Sequence, residues 1–341
     1  VNNHRIINFK YILLDNTDTF KKQLYNVESC SINYSSLSRL KSSANIKMKE
    51  DEDIDYLNDR IQPIVILNNV EYPLGVFLIC SPSRNISSIK VTRDITCYSK
   101  LQLLDDDKVL ERHFVPAGTN VINEIIRLLG TNSYSLSPNT LTTSTNREWE
   151  IGTPKLDIIN DLLATINYIS LLVDNQGKFT ANPYVLPTDR VFTITYEEGF
   201  DSILIPDMIE DFDLFSVPNI FVRYSNNPDI NPPLRVVYEN NNPSSVTSTV
   251  KRKRPIVDAA EVTDVADLQT LTDICKKDAY NSSNKYTHLE FKTGINPVHG
   301  YLDCLWVKCG DINAKYIETS WNMDLKVGGK MNHVARRVIE I

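Results

Sequence analysis

The chain has 341 residues, 42% of them hydrophobic and 23% charged, a composition that excludes a disordered polymer. That length exceeds what one hydrophobic core usually supports, so two or three domains are expected. The net charge of −7 lacks the basic excess that nucleic acid selects, and no apolar run approaches the roughly 20 residues that span a bilayer, so neither nucleic acid binding nor a membrane anchor is expected.

The start, Val1-Asn-Asn-His-Arg5, lacks the basic, apolar and small-residue succession of a secretory signal, which predicts folding in a cytoplasm. Up to about Pro116 the chain is punctuated like a β domain. Tyr25 to Tyr34 alternates apolar and polar residues, and Val70 to Ile79 and Val91 to Tyr98 are rich in β-branched and aromatic residues. The acidic runs Glu50 to Asp55 and Asp105 to Asp107 read as solvated loops.

The period then changes. Thr119 is placed to cap a helix with apolar positions at Val121, Ile122, Ile125, Ile126 and Leu129, ended by Gly130. After a polar loop from Thr131 to Arg147, Thr153 is placed to cap a second helix, with Pro154 at its first position and Asp157 in its first turn. Leu156, Ile159, Leu162, Leu163 and Ile166 form its apolar stripe, which reads as a core face. Tyr168 to Val173, the turn Asp174 to Gly177 and Lys178 to Ala181 predict a β-hairpin. Strand patterns resume at Phe192 to Tyr196, Ile220 to Tyr224 and Arg235 to Tyr238, followed by a helix from Asp264 to Tyr280 with Val265, Leu268, Leu271, Ile274 and Cys275 inward.

The last stretch gives strands at Tyr286 to Phe291, Leu302 to Val307, Lys315 to Ser320 and Val334 to Ile341. They are separated by Asn296-Pro297-Val298-His299-Gly300, by Trp321-Asn322-Met323 and by Gly328-Gly329-Lys330-Met331-Asn332-His333. Trp321, in an alternating pattern with Met323 and Leu325, is expected to anchor the core of the C-terminal barrel.

This C-terminal succession resembles the end of phage and prophage tail baseplate hub proteins. The hairpin leading to Asn182-Pro183-Tyr184, the segment Asp211 to Asn219 and the turn Asn240 to Ser245 are also similar to that family. The resemblance implies an α+β, predominantly β chain with two tail-tube-like β-barrel domains, at residues 1–118 and 187–341, and an α-containing insert at residues 119–186. It implies a homotrimer that joins the hexameric tail tube to a trimeric central spike, in contact with the tape measure protein and other baseplate proteins. Its place would be the tail tip of a virion or phage-tail-like particle, assembled in the bacterial cytoplasm, whether the tail is contractile, flexible or a bacteriocin. Other functions in view are a tail-associated peptidoglycan hydrolase and a distal-tail or receptor-binding protein.

The residues supply no catalytic, cofactor or metal assignment. Asp174-Asn175-Gln176-Gly177 lacks the further oxygen ligands and late glutamate of a calcium loop. His288, His299, Cys304 and Cys309 fall in one region, but the two cysteines bracket a strand sequence and not a zinc knuckle. Glu197-Glu198 and Glu148/Glu150 are the available carboxylate pairs for glycoside hydrolysis, yet adjacent or alternating acids are ordinary on exposed strands. Nucleophile-elbow, phosphate-loop and His-Glu-x-x-His motifs are missing, so the chain is expected not to be an enzyme. Lys251-Arg252-Lys253-Arg254 reads as a solvated loop or an electrostatic contact with an acidic neighbour. The six cysteines, Cys30, Cys80, Cys97, Cys275, Cys304 and Cys309, are expected as free buried thiols.

Overall fold

A computed structural model describes every residue except 1–4, 214, 226–231, 263, 264 and 266. The architecture is α+β and predominantly β, and among the described residues fourteen strands share one hydrogen-bonded sheet. Seven strands of the first section, among them Ile7–Leu14, Val27–Ser35, Ser42–Lys49 and Val91–Ser99, surround a core containing Leu13, Ile32, Ile46, Met48, Val65 and Phe77. Alternation sets the inward face: Ala44, Ile46 and Met48 are buried while Asn45, Lys47 and Lys49 are exposed. The last section builds a second core from Tyr196, Leu289, Phe291, Leu305, Val307 and Tyr316.

One strand serves both cores. Ile312–Asp324 pairs through its first half with Cys304–Cys309 and through Ser320–Asp324 with the first section at Ser31 to Ser35. Along its other edge it pairs with Lys330–Arg337, and a bulge between Glu318 and Ser320 adds one residue to the ladder. The inward positions are therefore Ala314, Tyr316 and Glu318 before the bulge and Trp321 and Met323 after it. The extra residue, Thr319, turns its carbonyl to the first section, where it accepts from both the backbone N–H and the hydroxyl of Ser36 at 2.8 Å. Trp321 is buried as expected, but in the first section's core and not that of the C-terminal strands, because the segment after the bulge pairs with Val27–Ser35.

The middle section has its own core. Leu156, Ile159, Leu162, Leu163 and Ile166 all face inward, and Leu101, Leu104, Val109 and Val115 pack with them although they precede residue 119. The first expected helix runs Val121–Leu129 and is capped by Asn120, whose side chain accepts from Asn123 N–H, in place of Thr119. Thr119 instead donates its hydroxyl to Pro116 O at 2.8 Å. The second runs Lys155–Thr165 without a side-chain cap, since the Thr153 hydroxyl is turned to Glu150 O at 2.7 Å.

The hairpin forms between Leu172–Val173 and Phe179–Ala181, turning at Gly177 with φ +84°. It docks on the first section through Lys100, a fully buried lysine whose ammonium donates to Gly177 O at 2.7 Å and pairs with Asp18 at 2.5 Å. The strands Ile220–Tyr224, Arg235–Glu239 and Val257–Glu261 form a separate small sheet covered by the helix Leu268–Ser283. That helix is capped by the Asp267 carboxylate; the expected start at Asp264 lies outside the described residues.

Candidate functional site

Three neighbouring strands each interrupt an apolar inward face at the same level. Thr287–Gly294 presents Leu289, Phe291 and then Thr293; Lys330–Arg337 presents Ala335, His333 and Met331; Ile312–Asp324 presents Tyr316, Glu318 and then Trp321. Leu289, Phe291, Tyr316 and Ala335 belong to the core of the last section, whereas Trp321 and Met331 belong to the core of the first. The polar row Thr293, Glu318 and His333 therefore marks the seam between the two β cores. His299, from the loop after Gly294, completes it.

The row is closed by hydrogen bonds. Glu318 Oε2 accepts from His299 Nδ1 and Oε1 from His333 Nδ1, both at 2.5 Å. His299 Nε2 meets the Tyr196 hydroxyl at 2.5 Å and His333 Nε2 meets Thr293 Oγ1 at 2.8 Å. Asn296 Nδ2 donates to the same Tyr196 hydroxyl at 3.0 Å. Burial is the largest influence on Glu318 and would raise its carboxyl, but the two facing imidazoles outweigh it and hold the group below the ordinary carboxylate value. Burial likewise pushes His333 below the ordinary histidine value, against the pull of Glu318. Nearby Asp303 is raised by burial, opposed by its hydrogen bond from Gly300 N–H.

The donor atoms of His299, Glu318 and His333 lie within 4.8 Å of one another, so a divalent ion is a fair test of the site. Ligands held 2.0–2.1 Å from a tetrahedral ion would stand about 3.3 Å apart. The two 2.5 Å N···O separations are hydrogen-bond distances, and the outer nitrogens are already engaged. The residues fit a polar clamp better than an ion cage. Its chemistry is positional: it fixes the register of three strands and the loop bearing His299 at the point where the cores meet.

Of the four residues flagged by zinc-like grouping, His299 alone enters this cluster. His288 lies on an exposed strand face beside Glu290 at 3.0 Å, Cys304 is buried and Cys309 half-buried. Glu318 and His333 were missed because ligand-spacing rules look along the chain, while these residues meet across a ladder. A polar residue at an inward position of each of three strands was the available signal.

The other flagged groups are locally engaged. Asp174 Oδ1 accepts from the N–H groups of Gln176 and Lys178, which makes the segment a turn. Glu197 meets Lys308 at 3.3 Å and Glu198 accepts from Gly310 N–H at 3.1 Å, whereas Glu148 and Glu150 both pair with Arg112. In the basic run, Arg252 is half-buried and donates to Val217 O at 2.8 Å, whereas Lys251, Lys253 and Arg254, the last lying over the Phe215 ring, are exposed. The cysteines are all free, but Cys80 is exposed, contrary to expectation, on a strand bulged between Ile79 and Ser81.

No protein-family model matches the chain, and no curated protein matches it in sequence. Solved structures do match. A tail protein from Neisseria meningitidis MC58 is similar over 96% of each chain, with a TM-score of 0.69 and 11% identity. The 43 kDa tail protein of prophage MuSo2 from Shewanella oneidensis is similar over 96% of this chain and 98% of its own, with a TM-score of 0.67 and 8% identity. The E. coli c3393 protein, a type VI secretion component with structural similarity to T4 bacteriophage tail proteins gp27 and gp5, is matched over 92% of this chain and 74% of its own, with a TM-score of 0.52 and 9% identity. The chain thus has the fold of phage-type tail proteins. The resemblance to tail baseplate hub proteins, drawn from its turns and strands, holds at the level of that fold.

Proposed function

We propose that the chain is the baseplate hub of a phage or phage-like tail, a homotrimeric symmetry adaptor between a hexameric tail tube and a central trimeric spike. The observation that carries this reading is the fold match over nearly the whole chain to two tail proteins. Two β cores in one polypeptide give three copies six tube-facing units, and closed symmetry multiplies weak contacts into a stable ring. The edge strand Leu204–Phe212 is paired on one side only among the described residues and exposes Ile209 and Phe212, which suits strand-edge contact with a neighbouring copy.

On this reading the tape measure protein and other baseplate proteins are further partners. The chain resides at the tip of a virion or tail-like particle assembled in the host cytoplasm. No described helix is long and apolar enough to cross a membrane. The hub reading also makes the chain non-catalytic, consistent with a titratable cluster that is fully buried and internally bonded.

Light scattering across a concentration series, alone and with candidate tube and spike proteins, tests the assembly. A trimer, formed alone or with the spike, is expected, and Phe212→Asp should weaken it without lowering thermal stability. A strict monomer that binds neither tube nor spike would overturn the reading.

A further inference from the structure

A cleft of about 520 Å³ opens where the sections of the chain converge. Its lining includes Tyr184 from the middle section, Arg190 just after it, Lys277 from the helix Leu268–Ser283, Lys285 from the turn that follows that helix, and Tyr301 and Arg336 from the last section. This is a concentration of positive charge in a chain whose net charge is −7. Arg223 also lines the cleft, but it is neutralised by Asp258 at 3.0 Å and by Asp278 at 2.6 Å. Asp278 is the one carboxylate in the lining among the described residues, and it is taken up by that pairing.

The remaining four cations form no ion pair among the described residues. Arg190 directs its guanidinium to the carbonyls of Val185 at 2.9 Å and Leu302 at 3.1 Å and lies over the Tyr184 ring. Lys277 lies over the same ring, 5.7 Å from its centre. Arg336 is half-buried, and its guanidinium has no hydrogen-bond or ionic partner among the described residues. Burial lowers the proton affinity of both cations: Arg336 has lost water without gaining an anion, and for Lys277 burial outweighs the opposing pull of neighbouring Asp278, which is hydrogen-bonded to Arg223.

We infer that this cleft is an oxyanion-binding site, in which Arg336 and Lys277 hold a carboxylate or phosphate group and Tyr184 and Tyr301 flank the body that carries it. A planar guanidinium offers paired donors to two oxygens of one group, and the ammonium adds a point charge. The volume exceeds that of a bare inorganic ion, so the ligand is an organic oxyanion. It is carried either by a small molecule or by an acidic side chain of a partner segment. The assignment is independent of the tail role.

Isothermal titration of the full chain with inorganic phosphate, citrate, a hexaglutamate peptide and a hexaglutamine peptide tests it. Saturable binding of citrate or hexaglutamate is expected, with hexaglutamine inert. Arg336→Gln and Lys277→Met should each weaken binding at least tenfold, while Lys326→Gln, on an exposed turn outside the cleft, should bind as wild type. Circular dichroism confirms folding, and Arg336→Lys, which keeps the charge, replaces Arg336→Gln if that variant unfolds. Preference for citrate assigns a small-molecule ligand, and preference for hexaglutamate assigns a partner's acidic segment. Binding of phosphate alone, no saturation by any probe, or equal binding by wild type and the cleft variants overturns the site.

Discussion

Tyr34 and Trp321 stack nearly parallel, with ring centroids 5.3 Å apart and planes inclined by 9°, so that a residue of the first β section and one of the closing strands share a single core. Trp321 also donates from its indole to Gly300 O at 3.4 Å. Truncating a buried aromatic removes its packing and leaves a cavity, so Trp321→Ala should destabilise by about 3–5 kcal/mol. Denaturant unfolding measures this. A variant with wild-type stability that nevertheless loses association with tube or spike would make Trp321 an interface residue.

The Glu318 clamp predicts sensitivity to acid. His333 is held below its ordinary value of 6.5, so the unfolded chain takes up a proton that the folded chain resists, and stability falls as pH drops below about 6.5. Glu318 is held below its ordinary value of 4.5, so its contribution is present above that value and is lost as pH falls through the folded one. Both effects run the same way. Melting temperature should be highest near neutral pH and fall on acidification, with His333→Gln flattening the earlier part of that slope. At neutral pH, Glu318→Ala should cost about 3–5 kcal/mol, as expected when one partner of a buried ionic network is removed.

Gly177 combines φ +84° with a close approach: a Cβ there would stand 2.9 Å from Val76 Cγ2. Gly177→Ala should destabilise by at least about 1–2 kcal/mol, the usual penalty for a side chain in left-handed backbone. The loss should appear as detachment of the hairpin, since Gly177 O is also the acceptor for buried Lys100. A double-mutant cycle of Gly177→Ala with Lys100→Met would register it, and fully additive losses would count against the docking role.

Zymography on purified peptidoglycan, with and without zinc or calcium, should give no clearing. Of the candidate carboxylates, Glu148 and Glu150 are both turned to Arg112 and Glu197 to Lys308. Clearing that Glu148→Gln or Glu197→Gln abolishes would establish a hydrolase.

Much of the fold was legible in residue patterns. The stripe from Leu156 to Ile166 has helical spacing and is buried; the Asp174 to Gly177 turn has the residues its geometry needs. The caps were misplaced by one residue or lost, because Thr119 and Thr153 turn their hydroxyls to preceding carbonyls and Asn120 takes the cap. The seam was hidden for a different reason. Alternation in Tyr316, Glu318, Trp321 and Met323 breaks at the bulge, and without knowing that Thr319 is extra, Glu318 and Trp321 fall on opposite faces. The oxyanion cleft was equally invisible, since Tyr184, Lys277 and Arg336 are distant in sequence.

The strand Ile312–Asp324 also sets an order of events during synthesis. Val27–Ser35 finds its outer partner only when Ser320 to Asp324 has left the ribosome, and the first core stays open until Trp321, Met323 and Met331 arrive. The N-terminal section therefore cannot mature as an independent unit while the chain is being made. Its completion waits on contacts of very long sequence separation, which are slow to form and leave an unpaired strand edge exposed meanwhile. A nascent chain of this kind exposes that edge until residues 320–337 emerge, and its folding is coupled to arrival of the segment that also carries His333 and Arg336.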